Sequence, residues 1–261
     1  MDVRDVLNRR TDLSTFLVHL TRELGDGYTA KQRLISIIVE RKLRPSVKPF
    51  GWAPTVMGAS GSQAVPDDQL GSQHVVCFSE TPLEHTYSLV APIDGRQIRL
   101  EPYGVGLTKM LGRRLGVNPV WYVDMTPGRD WTMSKAMNEL VRAAGVGFAT
   151  DPVRHLTPFV EMMGTWGSGS QKEFWWEREW RHVGELDLWP IRDKVLWLCP
   201  ENEIPEMEQV VRDQWAIPDR DPIHCIDPRW GLEQIIGALM GLPAGDRVHQ
   251  RHTMIQAGDV V

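Results

Sequence analysis

Apolar positions alternate with a period of two in several short runs and recur at helical spacing between them. In "STFLVHLT" (14–21), Phe16, Val18 and Leu20 alternate with Leu17 and His19, a β-rich composition that predicts a short strand. After the turn "LGDGY", the stretch "TAKQRLISIIVERKL" (29–43) carries Leu34, Ile37, Ile38 and Leu43 at roughly helical spacing, with Thr29 placed to cap a helix. Residues 44–73 show no period and are rich in Pro, Gly, Ser and Gln. A loop of this length either covers a substrate or is an insertion.

"HVVCFSETPL" predicts a buried strand stopped by Pro82, "YGVGLTK" and "NPVWYVDM" two more, and "KMLGRRLG" a short helix between them. A helix is expected over "SKAMNELVRAAG", with Met137, Leu140 and Val141 on one face. "GTWGSGSQ" reads as a turn or flexible loop. Beyond it come a strand ("KVLWLCP"), a helix ("IPEMEQVVRDQW"), a strand ("PIHCID") and a helix ("WGLEQIIGALMGL"). Strands and helices mix without regular βαβ alternation. The expected fold class is therefore α+β: a single domain over residues 1–261, with a mixed sheet, flanking helices and a long loop at 44–73.

Composition narrows the function classes. With 42% hydrophobic and 24% charged residues the chain has the make-up of a globular protein. No stretch approaches the roughly 20 apolar residues that span a bilayer, and "MDVRDVLNRRTDLS" is too charged for a signal peptide. The expectation is a cytoplasmic protein with no membrane partner. A net charge of −5 gives no general attraction to nucleic acid. Cys77, Cys199 and Cys225 are far apart in apolar runs, without metal-ligand spacing, so buried free thiols and no metal site are expected.

The densest mixture of charge and aromatic rings is "FWWEREWRH" (174–182). Read as one strand, it turns Trp175, Glu177, Glu179 and Arg181 to one face, with the two carboxylates about 6 to 7 Å apart. Either the glutamates are solvated or paired with Arg181 at a sheet surface, or the tryptophans desolvate a carboxylate pair that does chemistry, with one pKa raised by repulsion. In "CFSETPL", Ser79 and Thr81 share a face with Glu80 opposite; the hydroxyls either line the mouth of a site or cap a turn. His19, with Thr21 on the same face, is either a hydrogen-bonded core histidine or part of that site. The chain has no P-loop, nucleophile elbow or H-E-x-x-H.

In order, "FLVHLT", "LISIIVERKL", "VVCFSETPL", "YGVGLTK", "NPVWYV", "EREWR" and "LWLCP" resemble the AbiGi-like family of abortive phage-infection proteins, labelled the antitoxin half of a two-gene system. A more distant likeness, carried by the strand-borne His, the aromatic-Ser-x-Thr block and E-x-E, is to ADP-ribosyltransferases, DarT-like toxins among them. That resemblance implies an ADP-ribosyltransferase-like fold and NAD as substrate. His19 and Thr21 would help seat NAD, and Ser79 and Thr81 would support the nicotinamide pocket. Glu179 would stabilise charge at the breaking glycosidic bond, with Glu177 orienting the acceptor. Tyr87, Trp175 and Trp176 are the candidates to stack on nicotinamide.

Two functions follow as expectations. One is an antiviral, abortive-infection transferase moving ADP-ribose from NAD to a protein or nucleic-acid acceptor. The other is a non-catalytic antitoxin or interaction protein that binds a cognate toxin or phage component through tryptophans and the 44–73 loop. A metal-dependent nuclease needs a carboxylate cluster that linear spacing does not assemble.

Overall fold

Strand β1, Phe16–Leu20, is apolar on both faces, and Leu17 and Val18 are both fully buried. Such a strand is stable only between neighbours and between two covering layers, and β1 lies in the middle of a seven-stranded sheet. The computed structural model describes residues 12–59, 70–92, 99–126, 132–165, 171–172, 175–218 and 221–242.

The other strands in chain order are β2 (Lys42–Leu43), β3 (Val75–Ser79), β4 (Gly104–Thr108), β5 (Asn118–Pro119), β6 (Trp121–Asp124), β7 (Val160–Thr165) and β8 (Gln171–Lys172). They continue with β9 (Glu179–Val183), β10 (Leu186–Asp187), β11 (Leu196–Leu198) and β12 (Cys225–Ile226). The large sheet runs β12-β11-β4-β1-β3-β9-β5, and β6-β7-β8 form a separate small one. In the large sheet β11 and β12 pair parallel and the other neighbours antiparallel, so it is mixed. Pro119, which cannot donate to a ladder, sits on the edge strand β5, as it must.

The helices are α1 (Ala30–Glu40), α2 (Trp52–Ala59), α3 (Tyr87–Val90), α4 (Lys109–Arg114), α5 (Thr132–Ala144), α6 (Ile204–Trp215) and α7 (Leu232–Leu239). Thr29 caps α1 in a full capping box with Gln32. One face of the large sheet (Leu17, Val76, Phe78, Val105, Leu107, Trp197) packs beneath Leu34 and Ile38 of α1 and Met207, Val211 and Trp215 of α6. Trp215 stands edge-on to Trp197 at 5.1 Å, and its indole N–H donates to the Ile38 carbonyl at 2.7 Å. Burying such a side chain contributes about 3 kcal/mol. On the opposite face, Val18, Leu20, Leu196 and Leu198 meet Leu89 of α3 and Ile235 of α7. The small sheet has its own cluster: Val123 and Val160 pack with Trp52, Ala53 and Val56 of α2 and Met137 and Val141 of α5. The result is a single-domain mixed α/β fold with a mixed sheet and flanking helices.

Several sequence expectations are corrected. The helix beginning after Thr29 ends at Glu40, because Arg41 turns into the left-handed region (φ 61°), and Leu43 belongs to β2. The 44–73 stretch is not all loop. It contains α2, whose buried Trp52, Ala53 and Val56 follow helical spacing, with Pro54 tolerated in the first turn; residues 60–69 lie outside the described residues. "NPVWYVDM" splits between the large sheet and the three-stranded one, while β2 and β10 pair as a third sheet of two strands. Leu140 is exposed while Met137 and Val141 are buried. β7 was not anticipated, and residues 166–170 of the "GTWGSGSQ" turn are outside the described residues.

The largest correction concerns "FWWEREWRH". Trp175–Glu177 is a 3-10 turn, Arg178 is left-handed (φ 46°), and the strand begins only at Glu179. The Arg178 amide donates to the Trp175 carbonyl at 3.2 Å, closing the turn. Glu177 therefore does not share a strand face with Glu179; Phe174 lies outside the described residues.

Candidate functional site

β1 and β4 pair over five consecutive register positions, but β1 and β3 share only Val18↔Ser79. Beyond that pair the two backbones part. Carbonyls exposed by such a gap need another donor, and His19 supplies one: its Nδ1 lies 2.8 Å from the Cys77 carbonyl oxygen. A carbonyl can only accept, so Nδ1 carries the proton and Nε2 of the neutral ring is an acceptor. Burial, partly opposed by that hydrogen bond and aided by Arg22, holds the ring's pKa below its ordinary value of 6.5. The ring also meets Phe78 edge-on at 5.8 Å.

A cavity of about 880 Å³ opens at this parting, within the roughly 300–1,000 Å³ usual for small-molecule sites. Val18 to Arg22 and Val75 to Ser79 line it from the two strands. Arg33, Ser36, Ile37 and Glu40 of α1 and then Lys42, Arg44, Ser46 and Phe50 carry the wall onward, and Tyr122, Glu161, Lys172, Glu177, Glu179 and Arg181 close it. Gly51 makes Phe50's placement feasible. Its φ is +101°, and a Cβ there would lie 2.3 Å from the Thr157 carbonyl oxygen.

The β3–β9 register sets Ser79 opposite Glu179 and Cys77 opposite Arg181. Arg181 is 1% exposed. Its Nε donates to Glu179 Oε1 and its Nη2 to Glu179 Oε2, both at 2.9 Å. Nη2 also reaches Glu161 Oε2 at 2.7 Å, and Nη1 the Pro158 carbonyl at 2.7 Å. Lys172 Nζ donates to Glu161 Oε1 at 2.6 Å, and the Tyr122 hydroxyl approaches Glu179 Oε2 at 3.5 Å. Tyr122 and Glu161 are register partners on β6 and β7, so the small sheet delivers both to the same place.

The electrostatics follow from this packing. Burial alone would push Glu161 up, but Arg181 and Lys172 outweigh it and hold the carboxyl below its usual range. Burial opposes the Arg181 charge, and Glu179 and Glu161 reverse that, so the guanidinium stays protonated. Burial first, then the Glu179 carboxylate, push the Cys77 thiol well above its ordinary value, leaving it a poor nucleophile. Burial and the Glu179 charge likewise raise the Tyr122 phenol, which stays a donor. Glu177 lines the same cavity as Glu161 and Glu179.

Comparison with family models, curated proteins and solved structures finds no match. The site is therefore read from its own geometry.

Of the sequence candidates, His19, Thr21, Ser79, Glu177 and Glu179 all line the cavity. Thr21 does so just past the strand end, its hydroxyl donating to the Ala30 carbonyl at 2.9 Å. Thr81 and Tyr87 are not in the lining: Thr81 is buried beyond the end of β3, and Tyr87 lies half exposed on α3 beside His85. Trp175 and Trp176 are exposed and also outside the lining. The aromatic residues that do line it are Tyr28, Phe50, Phe78 and Tyr122. Glu80, expected opposite Ser79, takes Lys109 at 2.7 Å and the Trp180 indole at 2.8 Å.

Cys199 and Cys225 are buried and free, whereas Cys77 is free but only partly buried, at the cavity wall. Among the described residues no group of three or more His, Cys, Asp or Glu is placed to hold a metal ion, and no helix is long and apolar enough to cross a membrane.

Glu161, Lys172, Tyr122 and Phe50 escaped sequence reasoning. The only signal for Arg181 was its i+2 spacing from Glu179.

Proposed function

We propose that the cavity binds NAD and that the chain is an ADP-ribosyltransferase-like protein of phage defence, acting in the cytoplasm on a macromolecular acceptor. The observation that carries this reading is the convergence of His19, Ser79 and Glu179 on one cavity, from three strands distant in sequence. The charge pattern along the cavity fits a dinucleotide. Arg22, Arg33, Lys42 and Arg44 line one part of the cavity, the last three paired with Asp26, Glu185 and Glu40, for which a diphosphate would compete, and the carboxylates of Glu177, Glu179 and Glu161 in another part suit a cationic nicotinamide ribose.

In the proposed reaction the glycosidic C–N bond breaks with its electron pair leaving on nicotinamide. Glu179 stabilises the positive charge that develops on the ribose. A carboxylate offers about four acceptor positions; Arg181 and Tyr122 engage three and the Cys77 thiol also hydrogen-bonds to Glu179, so a ribose hydroxyl would replace the Cys77 contact or the long one from Tyr122. Glu177 orients the acceptor and takes its proton as the new bond to the ribose forms.

The test is nicotinamide release by the purified full chain. Wild type releases nicotinamide from NAD; Glu179→Gln, with unchanged melting temperature, loses activity by at least about 100-fold. No release by wild type with any acceptor preparation, together with no NAD binding, overturns the reading.

A second reading has its own support. Trp121 and Trp175, 54% and 56% exposed, and Trp176 present large aromatic surface to solvent, the residue type that anchors protein interfaces. On this reading the chain is an antitoxin or interaction protein. Neutralisation or co-purification would then survive Glu177→Ala with Glu179→Ala and be lost in Trp175→Ala.

A further inference from the structure

Resting on the proposed transferase reading, we propose that Arg181 is the positioning residue for Glu179, and that Glu161, backed by Lys172, sets how much of the Arg181 charge Glu179 receives. A carboxylate at the end of a strand has free side-chain torsions, and stabilising a developing charge requires one fixed orientation. Arg181 provides it through a side-on fork, Nε and Nη2 each donating to one oxygen of Glu179. Arg181 is itself immobilised. Nη1 is tied to the Pro158 carbonyl, Nη2 is shared with Glu161, and the Phe50 ring lies 5.9 Å from the guanidinium carbon.

Sharing is the consequential feature. A guanidinium given wholly to Glu179 would neutralise the charge that Glu179 is there to present. Glu161 draws part of that charge away, and Lys172, on its other oxygen, compensates Glu161 in turn. The chain Lys172–Glu161–Arg181–Glu179 thus keeps Glu179 both fixed and anionic. It also joins the small sheet to the large one at the site.

The experiment uses the full chain with Arg181→Lys and Glu161→Gln, each checked for folding by thermal melting. Steady-state nicotinamide release is measured, and the Arg181 Nε–H signal is followed by NMR on arginine-labelled protein, assigned by its loss in Arg181→Lys. Arg181→Lys keeps the charge and loses the fork: kcat falls by on the order of 100-fold with KM for NAD unchanged. Glu161→Gln concentrates Arg181 on Glu179, so kcat falls while KM and the Nε–H signal hold. In wild type the Nε–H exchanges slowly with water because Glu179 holds it, and Glu179→Ala speeds that exchange. Should Arg181→Lys not fold, Glu161→Gln decides by its kcat. If wild type does not release nicotinamide, the transferase reading fails while lost protection in Glu179→Ala still establishes the fork. Nε–H exchange unchanged in Glu179→Ala, or kcat unchanged in the folded variants of an active protein, overturns the inference.

Discussion

Glu179 is 17% exposed along its side chain and holds a bidentate bond to a guanidinium that is almost wholly buried. Desolvating such a pair costs several kcal/mol, which mutual attraction and the bonds to Glu161 and Pro158 offset. Removing Arg181 leaves Glu179 partly buried without its cation and Glu161 with Lys172 alone. Arg181→Met should therefore destabilise the fold by about 3–5 kcal/mol in urea denaturation, whereas Trp175→Ala, at an exposed position, should cost little. At this scale the sequence was partly legible. Glu177 and Glu179 stood out by composition, and pairing with Arg181 was one of the two arrangements open to them. The pair exists, yet it faces a cavity rather than solvent. Glu161 carried no signal, because in "VEMMGT" it is one acid in an apolar run. Its role arises only when β7 is laid beside β6.

At the scale of elements, the site depends on where strands stop pairing. β1 was readable from its alternation, and β3 from its β-branched run. Their parting after Val18↔Ser79 was not, since pairing is set by what the rest of the sheet imposes. The left-handed Arg178 was equally hidden, because a non-glycine residue with positive φ is uncommon and unmarked in composition. It turns the chain so that Glu177 and Glu179 reach the same cavity from a turn and a strand. Two substitutions probe the frame. Thr29→Ala removes the α1 cap and should cost about 1 kcal/mol without disturbing the cavity. Gly51→Ala cannot be accommodated against Thr157; it should displace Phe50 and lower both the melting temperature and NAD affinity. A Gly51→Ala protein that melts and binds like wild type would contradict the close approach.

Over the whole molecule, the α+β class and most elements were legible, since strand and helix periods are local properties. The division into sheets of seven, three and two strands was not. β5 and β6 are separated by a single residue yet join different sheets. The same assembly fixes a pH response. Because His19 is held below 6.5 in the fold, the unfolded chain takes up a proton near that pH before the folded one does. Stability from neutral His19 is thus complete above pH 6.5 and is lost as pH falls through the folded value. Glu161, also depressed, adds a second loss below its ordinary value of 4.5. Urea midpoints should decline from pH 7 to pH 5, and His19→Gln should flatten that decline while leaving the loss at lower pH.

Binding at the cavity is the proposition on which the functional reading stands, and hydrogen exchange of the full chain with and without NAD tests it most directly. Slowed exchange confined to β1 and residues 21–22, to residues 33–44, to β3, and to residues 177–181 is the expected result. Exchange unchanged at saturating NAD, or protection elsewhere with these segments untouched, would contradict it.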